Sequence, residues 1–274
     1  MLLSVIPSGF ELPGLYLIAC LISMAMGTSV GSITVLTPIA VAVAANGVPL
    51  PFCVGAVVGG SMFGDNLSFI SDTTIAATKT QGVAMKDKFR TNFMLALPAA
   101  IITFVILVVG LITGSLVYSS ALSSMGEGIS GMFETMIVTI LVASITALIK
   151  NNGGFEVILQ LIRKKANTKR GEMFGISALT AFLDVATANN TVAIVVAAPI
   201  AKEIGDEYEI EPRKVASLLD ISSCIVQGII PYGAQLLVAS SIARMPSLSF
   251  VPFLIYPFIL AVVVILSITF EKKR

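Results

Sequence analysis

A chain of 274 residues that is 56% apolar and 12% charged carries about half the roughly 25% charge of a water-soluble domain, which excludes water as the main solvent of its surface. The net charge of +1 excludes no partner, because in a membrane the placement of Lys and Arg matters and their sum does not. Histidine and tryptophan are absent, which removes a His-ligated haem, a His-ligated metal and a His proton relay. Cys20, Cys53 and Cys224 sit in apolar segments without metal-type spacing and read as packing residues.

In chain order, the opening MLLSVIPSGFELPG lacks a basic region and a cleavage site, so no signal peptide is expected. Residues 14–46 form two apolar arms of about 14 residues around a polar tip, each rising about 21 Å against a hydrocarbon core of roughly 30 Å. Such a stretch is one interrupted span or one re-entrant hairpin. An apolar run at 50–64 passes a polar break and continues to about 77, the pattern of a broken helix. The basic strip 74–91 reads as an interfacial anchor with no functional role, and 92–114 as a span. A second apolar helix, 131–149, opens on Glu134, which reads as structural, and a basic amphipathic connector covers 153–170. Residues 171–204 repeat the two-arm pattern. The acidic loop 202–214 is a solvated turn, 214–243 a second broken helix and 250–270 a final span. The expected fold class is an all-α polytopic membrane protein.

The chain also repeats itself at a spacing of 161 residues. Thr28-Ser29-Val30-Gly31 aligns with Asn189-Asn190-Thr191, Pro38 with Pro199, Pro51 with Pro212, and GDNLSFISD (64–72) with IVQGIIPYG (225–233). Two related halves, each with a polar break in an apolar run, are the sequence sign of a carrier whose site lies between repeats. If both two-arm stretches are hairpins, 16 of the 17 basic residues share one side and only Arg244 lies opposite; if the second spans, the split is 11 to 6. The positive-inside rule therefore favours hairpins, with the basic loops and the C-terminus cytoplasmic. Three crossings then separate the hairpins, which inverts the second repeat (115–274) relative to the first (1–114). At the same spacing, the helix 131–149 has a counterpart only roughly 30 positions ahead of residue 1, so an N-terminally truncated chain or a misplaced start is expected.

Chemistry is concentrated at the breaks. An ionised carboxylate within a span survives only against a cavity or a partner. Asp65 and Asp72 flank the first break beside Asn66, Ser68, Ser71, Thr73 and Thr74. Asp184 precedes the second tip, which offers Thr187, Asn189, Asn190 and Thr191, and Asp220 lies in the helix leading to the second break. No basic residue lies in these stretches, so the carboxylates are expected to find their counter-charge in a bound cation or proton. The expected sodium or proton ligands are Asp65, Asn66, Ser68, Asp72, Asp184, Thr187, Asn189, Asn190 and Asp220, with Thr28, Ser29, Ser71, Thr73, Thr191 and Gln227 lining the substrate path. The plainer readings are that Asp65 or Asp72 caps the half-helix after the break, that Asn189 and Asn190 bridge helices, and that Thr28 and Ser29 bond back to the backbone. Desolvation raises a carboxyl pKa by up to roughly 3–5 units, so sodium and protons can compete for one dry carboxylate, which is sufficient for antiport.

GTSVGSITVLTPIAVAVAANG (27–47), GGSMFGDNLSFISDTTIAATKTQG (59–82), DVATANNTVAIVVAAPIAKEI (184–204) and SLLDISSCIVQGIIPYGAQLL (217–237) resemble the NhaC-type sodium/proton antiporter family of the ion transporter superfamily. The resemblance covers nearly the whole chain, and the family's greater N-terminal length agrees with truncation. It implies secondary transport of sodium against protons in a cell membrane; relatives of this kind also carry small organic acids or amino acids, which keeps a sodium- or proton-coupled carrier of such a solute as the alternative. The partners implied are the sodium ion, the proton and the bilayer, with a homodimer as an assembly such a carrier can form and no nucleic acid. The sodium ion is cargo, and no cofactor is expected. With neither an activated nucleophile nor a metal site in the sequence, the reading is not an enzyme.

Overall fold

The computed structural model describes residues 10–45, 47–113, 153 and 168–271. The expected helix 131–149, and the connector 153–170 apart from Gly153 and its last three residues, lie outside them. Among the described residues there is no strand. The helices are α1 (Glu11–Met26), α2 (Ser29–Ala44), α3 (Leu50–Leu67), α4 (Asp72–Gln81), α5 (Met85–Ile112), α6 (Lys169–Thr187), α7 (Asn190–Glu207), α8 (Pro212–Gln227), α9 (Ala234–Ala243), a short α10 (Ser247–Phe250) and α11 (Ile255–Thr269). Among the described residues, two helical stretches are long and apolar enough to cross a membrane, Leu50–Gln81 and Met85–Gly110, with a third if the pair Ala234–Ala243 and Ser247–Phe253, bent by 96°, is one span.

Two-residue tips reverse the chain between α1 and α2 and between α6 and α7, and both are built alike. Gly27 closes α1 at φ +70° with its amide on the Ser23 carbonyl at 2.9 Å. Ala188 closes α6 at φ +50° with its amide on the Asp184 carbonyl at 2.8 Å. The next residue is extended and caps the following helix: Thr28 Oγ1 accepts from the Gly31 amide at 3.3 Å, and Asn189 Oδ1 from the Val192 amide at 3.0 Å. These caps satisfy helix-end amides that have no intrahelical acceptor. The second tip returns the chain to the end from which it came, since Lys169 Nζ, at the start of α6, donates to the Glu209 carbonyl at 2.6 Å, just past the end of α7.

Packing crosses between the two parts of the chain. α1 lies along α3 and α6 along α8, whereas α2 packs on α9 and α7 on α4. The α1–α3 approach is close because Gly60 and Gly64 of α3 face the α1 backbone; a Cβ at Gly60 would stand 2.5 Å from the Tyr16 carbonyl oxygen. An apolar stretch of 18 residues within Leu50–Gln81 is 89% buried, while one within Met85–Gly110 is 39% buried, leaving Ile101, Val105 and Val109 of α5 facing outward. α3 and α4 are thus the core, and α5 presents an apolar face of the kind lipid would cover.

At one end, a crevice of about 550 Å³ is lined by Arg90, Thr91, Lys169, Glu209, Lys214 and Glu271, among others. The starts of α5, α6 and α8 and the end of α11 therefore meet there. Glu271 ties them together: its carboxylate pairs with Lys214, and its carbonyl accepts from Arg170. Thr168 caps α6 through the Gly171 amide at 3.1 Å at the same end. Thr168→Ala is expected to lower stability by about 1 kcal/mol, read as a lower thermal midpoint of the purified protein.

Candidate functional site

The link between α3 and α4 is four residues long, and Ser71 makes the turn. Its Oγ caps α4 at the Thr74 amide, 3.5 Å away, and lies 2.7 Å from Thr73 Oγ1. Ser71 is therefore the cap, the role that the plainer reading allowed Asp65 or Asp72; Asp65 belongs to the last turn of α3, before the break. Ser68 Oγ accepts from the Ile70 amide at 3.3 Å. Asp65 is buried, with Oδ2 accepting from Ser29 Oγ at 3.2 Å and Oδ1 making no hydrogen bond. Ser29 accepts in turn from Gln235 Nε2 at 3.2 Å. One carboxylate thus meets the first tip and, through it, the start of α9. Asn66 is held next to it, donating to the Tyr256 hydroxyl at 3.0 Å and accepting at its carbonyl from Asn92 Nδ2 at 2.9 Å.

Asp220 corrects the expectation that no basic residue reaches these carboxylates. Lys88 Nζ lies 2.6 Å from Asp220 Oδ2, both side chains about 1% exposed, and Asn92 Nδ2 donates to the same oxygen at 2.7 Å. Lys88 also donates to Thr74 Oγ1 at 2.6 Å, and Ser217 Oγ donates to Asn92 Oδ1 at 2.5 Å. The interfacial reading of 74–91 fails over α4, where Thr74, Ala77, Thr78 and Gln81 are buried, and at Lys88 for a geometric reason: Lys88 and Asn92, four apart on α5, share the face that packs on α8. That spacing, a basic and an amide residue one turn apart at the start of an apolar helix, is the signal that could have found them.

Asp184 is fully buried, and neither carboxylate oxygen makes a hydrogen bond of regular geometry, although the Gln227 backbone comes close. Around it the second break holds the second tip by its carbonyls: Gln227 Nε2 donates to Ala188 at 3.1 Å and the Tyr232 hydroxyl to Val185 at 2.9 Å. The Cys224 thiol, one turn from Asp220 on α8, lies within electrostatic reach of Asp65, Asp220 and Asp184.

Asp72 differs from them in exposure. It is exposed, with Oδ1 on the Thr73 amide at 3.0 Å and Oδ2 accepting from Thr191 Oγ1 at 2.6 Å. Thr187 bonds back to the Leu183 carbonyl at 2.8 Å, Asn190 Oδ1 accepts from the Thr191 amide at 3.0 Å, and Asn189 serves as the cap. Asp72, Asn189, Asn190 and Thr191 therefore make a rim, while Asp65, Asp184 and Asp220 lie inside. No three His, Cys, Asp or Glu side chains among the described residues are placed to hold one metal ion. Sequence reasoning missed Lys88, Asn92, Gln235 and Tyr256. At the distant basic end, the Arg213 guanidinium, 2.6 Å from Glu211, holds that exposed carboxylate below its usual range.

The sequence profile of the Na+/H+ antiporter family matches residues 2–111 and 108–271. The malate-2H(+)/Na(+)-lactate antiporter of Bacillus subtilis (strain 168) is 36% identical over 109 residues, 37% of this chain and 23% of that protein. An uncharacterized protein of Haemophilus influenzae is 40% identical over 76 residues, 27% of this chain and 14% of its own length. The matched stretches thus span less than a quarter of either relative. No solved structure matches the chain.

Proposed function

We propose, from the premise that this chain belongs to the Na+/H+ antiporter family, that it exchanges sodium for protons across the cytoplasmic membrane, with Asp65 as the carboxylate for which the two cations compete. The observation that carries this is Asp65 itself: a buried carboxylate at a helix break, with one oxygen unpartnered and the other on the tip serine Ser29. A charge so placed must be neutralised by a cation or a proton. Asn66, Ser68 and the carbonyls freed by the break supply further oxygens, as sodium requires. Asp184, buried among the second tip's backbone groups, is the second protonatable carboxylate. Asp72, Thr187, Asn189, Asn190 and Thr191 form the mouth through which ions reach the interior, and Thr28, Ser71, Thr73 and Gln227 shape its walls. Residues 1–114 and 115–274 act as two inverted repeats, with re-entrant hairpins over 14–46 and 171–204, and the basic end faces the cytoplasm. The crossed packing of α2 on α9 and α7 on α4 supports that symmetry, because each hairpin leans on the other part's broken helix.

Purified chain in proteoliposomes tests the reading. Sodium should collapse an imposed pH gradient with no organic solute present, and a gradient that survives sodium addition refutes it. A second reading, a sodium- or proton-coupled carrier of a small organic acid, has two supports. The Bacillus relative is described as a malate-2H(+)/Na(+)-lactate antiporter. The starts of α2 and α9 also meet at Ser29 and Gln235, as do those of α4 and α7 at Asp72 and Thr191, converging positive helix ends on which a carboxylate could rest. Solute uptake driven by sodium, with no sodium-dependent proton signal in its absence, selects this second reading.

A further inference from the structure

An ion pair sealed in an apolar bundle is costly, and well-packed apolar residues of similar volume commonly do as well or better. Lys88 and Asp220 are nevertheless about 1% exposed and 2.6 Å apart, and the pair is braced on both sides: Thr74 Oγ1 accepts from the ammonium, and Asn92, itself fixed by Ser217, donates to the same carboxylate oxygen. The Asn92 amide bridges Asp220 to the neighbour of Asp65 in the chain, donating to Asp220 Oδ2 at 2.7 Å and to the Asn66 carbonyl at 2.9 Å, and the remaining oxygen of each aspartate, Oδ1, makes no hydrogen bond of regular geometry. Two ionised carboxylates placed together call for two cations. With the ammonium in place, Asp220 is already neutralised, and of this pair only Asp65 is left to fill. Resting on the sodium–proton reading above, we propose that Lys88 is an internal cation that is never transported: it occupies Asp220 throughout the cycle and so limits the Asp65–Asp220 pair to one exchanged cation. Lys88 is in this sense a positioning residue, acting through the charge of Asp220 on the affinity of Asp65.

Sodium dependence of proton movement in proteoliposomes tests this. Lys88→Gln leaves two carboxylates open, and half-saturation should move to a roughly tenfold lower sodium concentration with a sigmoidal dependence, because one opposing charge has gone. Lys88→Arg keeps the charge and should restore the hyperbolic curve, as should Lys88→Gln combined with Asp220→Asn, which removes both charges at once. A folded Lys88→Gln protein with an unaltered sodium curve overturns the proposal. The unaltered chain gives an answer even if the variants misfold. Acylation with an amine reagent, read by mass spectrometry in sodium and in choline, should leave Lys88 protected in both. Reactivity in either medium overturns the proposal, and reactivity in sodium alone would mean that sodium displaces the ammonium. Because labelling does not depend on transport, absence of exchange in the unaltered chain refutes the sodium–proton reading separately.

Discussion

Asp65→Asn is expected to abolish sodium-driven proton movement while leaving the protein folded. The amide is nearly isosteric with the carboxylate, and its oxygen can still accept from Ser29 Oγ, which lies 3.2 Å from the native carboxylate. Its NH2 group takes the position of the oxygen that makes no hydrogen bond. The thermal midpoint should therefore hold or rise, since a buried charge has been removed. Exchange depends on the charge itself. A unit pair at 4 Å and an effective dielectric of 20 is worth about 4 kcal/mol, roughly a thousandfold in cation occupancy. Asp184→Asn should behave the same way, because Asp184 is fully buried and lacks even the serine contact. Parallel melting curves and liposome assays check both variants. Undiminished exchange with unchanged pH dependence would remove the residue concerned from the mechanism.

The difference between these aspartates and Asp72 marks where sequence reasoning stops. The places of the tips were legible because a few polar residues, Thr28-Ser29 and Asn189-Asn190-Thr191, interrupt apolar arms; their caps were not, since Thr28 and Asn189 read as site or bridging residues and Ala188 turns at φ +50° without a glycine to announce it. The first break was legible for a similar reason, as GDNLSFISD interrupts an otherwise apolar run. Burial was not. Asp72 and Asp184 both flank polar stretches, but Asp72 opens the first turn of α4 beside the exposed rim, whereas Asp184 lies within the α6 arm that packs along α8. Which face of a helix turns inward is decided by its partner helix, and the partners here lie far apart in sequence. Asn92 and Asp220 are 128 residues apart, and Ser29 and Gln235 are 206 apart. Lys88 was hidden by its surroundings as well. It sits among Lys86, Asp87 and Arg90, a strip that reads as solvated, and only the packing of α5 on α8 carries its long side chain inward. The inverted orientation of the two parts rests on an argument from charge placement, which concerns the bilayer more than the bundle.

Gly60→Val should be among the most damaging substitutions away from the charged residues, costing about 3 kcal/mol or more. At this position a Cβ would meet the Tyr16 carbonyl oxygen at 2.5 Å, Ala19 Cβ at 2.8 Å and the Cys20 amide nitrogen at 3.2 Å. Two of these three are backbone atoms of α1 and cannot rotate away, so relief requires α1 to separate from α3. Separation propagates to the site, because α3 carries Asp65 near its end and α1 leads directly into the tip that carries Ser29. The variant should therefore lose exchange together with stability, in contrast to Asp65→Asn, which loses exchange alone. Gly82→Ala provides the scale. Nothing lies within 4 Å of a Cβ there, and the cost comes only from a φ of +68°, on the order of 1 kcal/mol. Thermal melts of both variants should rank Gly60→Val far below Gly82→Ala. The reverse order would mean that α1 and α3 are not in backbone contact, and the meeting of Ser29 with Asp65 that depends on that contact would fall with it.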